Sequence, residues 1–290
     1  TGVWEINTDL ETKLRSLGNR GDIIKTMHRA LREAGIDRSG GSYSVFDSTK
    51  PNNRIVGRVA GIGLTDEIND RHYLIVDGID GKVHYADVGH LQPEFVPEKG
   101  MIVALVNKAG TEDERLRTRL RILSYFSLEK LMEAEGATWL DKELLSRSPE
   151  RLVQTGFGAE TNAAVARRRQ WLVSQRFGIV DTVGNFQPQS RLLEKLKQRD
   201  IRQATQALSK ELGLAPVQLV EGERMVGTYD HAINLASGKY AVIQKSKEFI
   251  LVPWRPELES MRGKPLSGTG SNQGISWDWT SKRQQSLAIS

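Results

Sequence analysis

The sequence predicts an α+β chain of several modules: two small antiparallel β-barrel-like modules flanking a helical, winged-helix-like one. Three observations carry that expectation. The length of 290 residues exceeds what one ordinary core organises. Short β-rich runs cluster in residues 54–110 and again in 217–290. Between them, residues 111–216 follow mostly helical spacing.

Residues 1–53 read as N-terminal helices and a linker. Asp9 or Thr8 caps a run through Leu10, Leu14 and Leu17 that Gly18 stops. Residues 21–34 form a second amphipathic stretch on Ile23, Ile24, Met27 and Leu31. The segment "RSGGSYSVFDSTKPNN", Arg38 to Asn53, has the punctuation of turns. The opening Thr-Gly before Trp4 looks like the start of an excised fragment.

Residues 54–110 hold the runs "RIVGRVAGIGL", "RHYLIVDGIDGKVHYADVG" and "MIVALV", with Asp-Gly twice between apolar strands. They predict a small barrel of SH3-like or OB-like kind.

Residues 111–216 open on Thr111 and Glu114 at capping-box spacing. The helix that follows would bury Leu116, Leu120 and Leu123. The same stretch, "RLRTRLRI", also alternates, and as a strand it would put four arginines on one side; the helix is preferred because cap and leucine spacing agree. Further helices are expected over Ser127–Glu135, over Thr138–Arg147, from Ser148-Pro149-Glu150, and over Ala159–Arg176. "IVDTVGNFQP" then makes a β-hairpin, and a long helix runs from Ser190 to Leu212 with Gly213 as its C-cap. Three helices followed by a hairpin is the order of a winged helix, with Arg167, Arg168 and Arg169 on the recognition helix. A solvated charged face is the competing reading. Three consecutive arginines sweep about 200° of a helix, and Arg167 and Arg168 can pack over Trp171.

Residues 217–290 return to strand. The stretch "GKYAVIQKSKEFILVPWRP" reads as a hairpin turning at Lys245-Ser246-Lys247 and ended by Pro253, which cannot donate to a ladder. Whether Trp254 fills the core or presents itself with Arg255 stays open; for Trp254 and Trp277 the core is the weightier reading. The tail "SKRQQSLAIS" reads as a flexible basic end.

Composition limits function. Residues 1–110 carry 14 basic and 15 acidic side chains, and residues 111–290 carry 27 and 21. The excess of basic groups in the second part points weakly to a polyanion partner. Cysteine is absent, which excludes disulfides, thiolate metal sites and a Cys nucleophile and suits a reducing cytoplasm. No apolar run reaches the ~20 residues of a membrane span, and no secretory signal pattern opens the chain. The motifs of zinc proteases, P-loops, dinucleotide folds and serine hydrolases are missing. Gly156-Phe157-Gly158 before a helix can hold a phosphate but is more commonly a helix junction. No catalytic residue, metal ligand or cofactor is assigned. Aromatic and basic residues side by side suit stacking and phosphate contact with single-stranded nucleic acid. The candidate binding residues are Arg167, Arg168, Arg169, Arg176, Lys239, Lys245, Lys247, Trp254 and Arg255.

Six spaced motifs carry a family likeness: "RGDIIKTM", "DRHYLIVDGIDG", "ATWLDKEL", "GFGAE" with "RRRQWL", "LASGKYAVIQKSKEFILVPWRP", and "GISW" with the terminal "IS". Together, from Gly21 to Ser290, the chain resembles the C-terminal region of conjugative relaxases, the mobilisation nucleases of plasmids and integrative elements, a domain of unknown function. The resemblance implies an upstream nuclease domain that nicks the transfer origin with a tyrosine and a histidine-bound metal. It also implies passage with the strand through a type IV secretion channel, from bacterial cytoplasm to recipient. This chain lacks the histidine cluster of that nuclease, so none of Tyr43, Tyr73, Tyr85, Tyr125, Tyr229 or Tyr240 is expected to be the nicking tyrosine. The expected role is non-catalytic: binding transfer-origin or single-stranded DNA, or alternatively docking to the coupling protein of the secretion system. The expected partners are DNA, the upstream nuclease domain and that coupling protein, with no membrane.

Overall fold

Alternation decides the first sheet. In the computed structural model, which describes residues 20–38, 41–108, 117–271 and 274–278, the β-rich runs become strands β1 (Ser42–Val45), β2 (Arg54–Asp66), β3 (Arg71–Gly78), β4 (Lys82–His90) and β5 (Ile102–Lys108). They are joined by β6 (Arg117–Ser124), in the order β1-β4-β3-β2-β5-β6. All neighbours are antiparallel except β1, which runs parallel to β4. One face buries Ile55, Val59, Leu74, Val76, Val103 and Leu105, with Leu120 and Ile122 of β6 packed against them. The register of β2 shifts between Val59 and Gly61. That bulge reverses the parity of the strand, so Ile62 beyond it returns to the same cluster as Val59.

The opposite face presents Val56, Ile102 and Ala104 to three helices: α2 (Leu128–Met132), α3 (Trp139–Leu145) and α4 (Gly156–Ser174). Helix α1 (Arg20–Glu33) lays Ile23, Met27, Ala30 and Leu31 on Ala60, Ile75, Val83 and Tyr85. A hairpin of β7 (Gly178–Val180) and β8 (Phe186–Pro188) follows α4. These elements belong to one compact unit, Thr1–Ala134 with Thr138–Leu192.

The second unit takes Glu135–Ala137 and Leu193–Ser290. Helix α5 (Leu192–Leu212) leads into strands β9 (Ala215–Pro216), β10 (Arg224–Leu235), β11 (Gly238–Lys245), β12 (Glu248–Pro253), β13 (Pro265–Ser271) and β14 (Gly274–Trp277). Their order is β14-β13-β10-β11-β12-β9. The unbroken apolar run of β11 has a cause: Ala241 and Ile243 enter a core with Tyr229, Val252, Leu258 and Trp277, while Val242 on the other face meets Phe249 and Leu208 of α5. The hairpin turn is Ser246-Lys247, with Ser246 at φ 51°.

Several expectations are corrected. The two barrel-like modules are open six-stranded sheets, with no hydrogen-bonded closure among the described residues. The helix expected to bury Leu120 and Leu123 is the edge strand β6, because β5 needs a partner and Leu120 and Ile122 alternate with exposed Arg119 and Arg121. Leu116 and the Thr111 capping box lie outside the described residues, as do the first expected helix and the basic tail. No helix starts at Ser148: the Glu150 amide donates to Glu143 Oε2 at 3.0 Å and the Val153 amide to the Ile79 carbonyl at 3.2 Å, so this backbone is spent on tertiary bonds. The helix expected over Ser127–Glu135 is only the five residues of α2. The segment from Arg38 to Asn53 is not all turns, since it contributes β1.

Candidate nucleic-acid interface

Helix α4 is built around a charged pair. Its buried stripe is Phe157, Gly158, Thr161, Ala164, Arg168 and Leu172, recurring at helical spacing. A Cβ on Gly158 would come within 2.4 Å of the Ile79 carbonyl oxygen, so this glycine is a close backbone junction. Arg168, with 0% exposure, donates Nε to Asp141 Oδ1 at 2.8 Å, Nη2 to Asp141 Oδ2 at 2.9 Å and Nη1 to the Ala134 carbonyl at 2.6 Å. Asp141 is itself fixed in the α3 capping box, accepting from the Thr138 amide at 2.7 Å. The Arg168 guanidinium lies 4.2 Å from the centre of the Trp171 ring.

The first turn of α4 is anchored by a second ionic group. Buried Asp77 accepts from Arg38 Nε at 2.9 Å and from Arg58 Nη2 at 2.8 Å, and Glu160 takes Arg38 Nη2 at 2.8 Å. Burial lowers the Arg38 guanidinium, but the hydrogen bonds to Asp77 and Glu160 outweigh it and raise it. Arg58 also covers the Phe157 ring at 4.8 Å. These cations are committed to structure.

What α4 leaves uncovered is the opposite stripe: Ala163, Ala166, Arg167, Gln170 and Ser174. Arg169 lies at its border, with Nη1 3.4 Å from the Gly184 carbonyl of the hairpin, and Arg176 is exposed just past the helix. The hairpin exposes Ile179 at 67% and Val183 at 82%. Its turn is held by Asp181, whose carboxylate accepts from the Asn185 amide at 2.8 Å and the Val183 amide at 3.0 Å. The Asn185 amide foremost holds that carboxyl below the usual carboxylate range. Separately, Arg119 and Arg121 on β6 are exposed, and their side chains carry no ion pair or hydrogen bond among the described residues.

In the second unit, Trp254 is half-buried, and its Nε1 donates to Glu259 Oε1 at 2.7 Å, which also accepts from Tyr229 Oη at 2.8 Å. Burial, then the Glu259 hydrogen bond, pushes the Tyr229 phenol up. Lys239 Nζ stands 3.8 Å from the Trp254 ring centre. Lys245, Lys247 and Arg255 are exposed, and Trp277 is core.

The candidate residues thus fall in two units, with Arg167, Arg168, Arg169 and Arg176 in the first and the rest in the second. Arg168 leaves the set on geometry: a guanidinium with no exposure does not reach a phosphate. Arg119, Arg121 and Gln170 are exposed as well and are not among the expected residues; the alternation "RTRLRI" is the sequence signal for the first two. Among the described residues no group of three His, Asp or Glu side chains is placed to hold a metal, and no helix is long and apolar enough to cross a membrane.

The fold and these surfaces define a two-unit α+β protein with free cations on a helix stripe and a strand edge. Residues 1–116 and 108–288 match the family described as Protein of unknown function (DUF3363), and the chain belongs to that family. No curated protein and no solved structure matches the chain.

Proposed function

We propose that this chain is the non-nicking accessory region of a conjugative DNA relaxase and that its first unit grips DNA through α4 and the β7–β8 hairpin. The observation that carries the reading is the uncovered stripe of α4. Small residues at Ala163 and Ala166 let the helix approach a groove, while Arg167 and Gln170 offer the side-chain types that bond guanine and adenine edges. The order of α2, α3, α4 and hairpin agrees with a winged-helix reading, in which the hairpin lies beside the helix as a wing. Arg169 and Arg176 flank the stripe as phosphate contacts. The resemblance to relaxases is what suggests the transfer-origin context and the upstream nuclease domain and coupling protein as partners. The chain itself contributes binding and no strand cleavage.

The experiment is fluorescence-anisotropy titration of duplex and single-stranded DNA at two salt concentrations. The expected result is binding that falls steeply with salt and is lost on Arg167→Ala with Gln170→Ala at unchanged thermal stability. Duplex binding that survives both substitutions removes α4 as the reading helix. A second reading, contact with a protein, is favoured by the exposed apolar hairpin residues Ile179 and Val183. It predicts no DNA binding at low salt and capture of the coupling protein that Val183→Asp abolishes.

A further inference from the structure

The second unit contains a groove of about 750 Å³ that the DNA reading does not use. That volume lies within the ~300–1,000 Å³ range of ligand-binding clefts. One wall is the α5 face bearing Gln198, Arg202 and Thr205; the other is β12 from Phe249 to Pro253. Val217, Leu219 and Ile275 add apolar floor.

The backbone of β12 is half used there. The amide of Val217 donates to the Phe249 carbonyl at 2.9 Å, and the amide of Trp254 turns the other way, to the Lys239 carbonyl at 3.0 Å. By the alternation of a strand, the odd-numbered residues of β12 point away from β11. β9 reaches only Glu248 and Phe249, so the N–H and C=O of Leu251 and the C=O of Pro253 face the groove with no backbone partner among the described residues. Among the described residues that line the groove Arg202 is the sole charged side chain, and it is exposed with no ion pair among the described residues. An open strand edge, apolar walls and one free guanidinium ask for one kind of occupant.

We propose that this groove binds an extended peptide that adds as a strand to β12, setting apolar side chains on Val217, Leu219 and Ile275 and an acidic side chain on Arg202. The Leu251 amide and carbonyl supply the two ladder bonds, and Pro253 ends the register because it has no N–H to give. The site is independent of DNA contact by the first unit.

The test uses the full chain and two fluorescein-labelled octapeptides with blocked ends, alternating valine and threonine, one with a central glutamate and one with glutamine there. The expected result is saturable binding of the glutamate peptide, about tenfold tighter than the glutamine peptide, equivalent to ~1.4 kcal/mol. Arg202→Ala removes that tenfold difference and leaves the glutamine peptide unchanged, which a misfolded variant does not do. Val217→Glu, at a position 38% exposed, blocks both peptides, and hydrogen exchange at the Leu251 amide slows on binding. Equal affinity for the two peptides, or no saturable binding, overturns the proposal. Binding that appears only after deletion of residues 279–290 overturns it too, because the groove then belongs to the chain's own terminal segment.

Discussion

Arg168 is the residue whose loss has the largest expected effect. Arg168→Ala removes both guanidinium bonds to Asp141 and leaves a buried carboxyl group without its charge partner, which destabilises the protein by about 3–5 kcal/mol. Urea unfolding of that variant checks it, and Arg167→Ala, on the exposed stripe, is the control expected within about 0.5 kcal/mol of wild type. A block substitution of all three arginines would therefore report unfolding, not binding. Asp80 adds a pH dependence. Burial, the largest single influence, raises its carboxyl, but the His84 ring at 3.0 and 3.1 Å, the Lys82 amide and the charge of the Lys82 side chain together outweigh it and lower it. A carboxyl lowered in the folded state contributes stability above its unfolded pKa, about 4, which is lost as pH falls through the folded value. A fall in the wild-type urea midpoint is expected between about pH 5 and pH 3, and Asp80→Asn should flatten it. Trp254 answers the question its Pro-Trp-Arg-Pro setting poses: the indole is half-buried and tied to Glu259, so Trp254→Phe should cost about 1 kcal/mol, measured by thermal unfolding.

Helix α4 and strand β6 were legible to different degrees, and the difference is physical. The existence of α4, of the β7–β8 hairpin and of the β10–β12 meander is a local choice, set by turn residues and apolar runs, and the sequence pattern contains it; the bounds of α4 differ, Gly156–Ser174 against the expected Ala159–Arg176. Strand β6 was misread because "RLRTRLRI" satisfies a helical leucine spacing and a strand alternation together. What decides between them is the open edge of β5, a long-range pairing that local spacing does not contain. The same misreading hid Arg119 and Arg121. The role of Arg168 was half legible: its packing over Trp171 follows from i, i+3 spacing, but its partner Asp141 lies 27 residues away on α3. At the element scale, Gly158→Ala should drive α4 off the Ile79 carbonyl and destabilise by about 1–3 kcal/mol, seen as a lowered melting temperature. Arg119→Glu with Arg121→Glu should leave stability within about 0.5 kcal/mol, read by the same melt.

Across the whole molecule, the formal net charge of +5 overstates and understates the free basic surface in different places. Arg38, Arg58 and Arg168 are neutralised by Asp77, Glu160 and Asp141, whereas Arg119, Arg121 and Arg167 remain available. Each arginine that contacts a phosphate should therefore contribute about 0.9 to the slope of log affinity against log salt on duplex DNA; Arg167→Ala is expected to lower that slope by one such step and Arg168→Ala to leave it unchanged wherever the variant is folded. The division of the chain into units has a different consequence. The second unit is discontinuous: it includes Glu135–Ala137, where Gly136 sits so close to Asp200 that a Cβ would meet its carboxylate at 2.1 Å, and where Glu135 pairs with Arg199. A gene fragment that begins at residue 193 therefore encodes Asp200 and Arg199 without Gly136 and Glu135, although Asp200 keeps its hydrogen bonds from Ser237. Swapping C-terminal halves between family members at that junction would carry one side of the contact without the other, so the unit of exchange is a pair of segments and not a single cut.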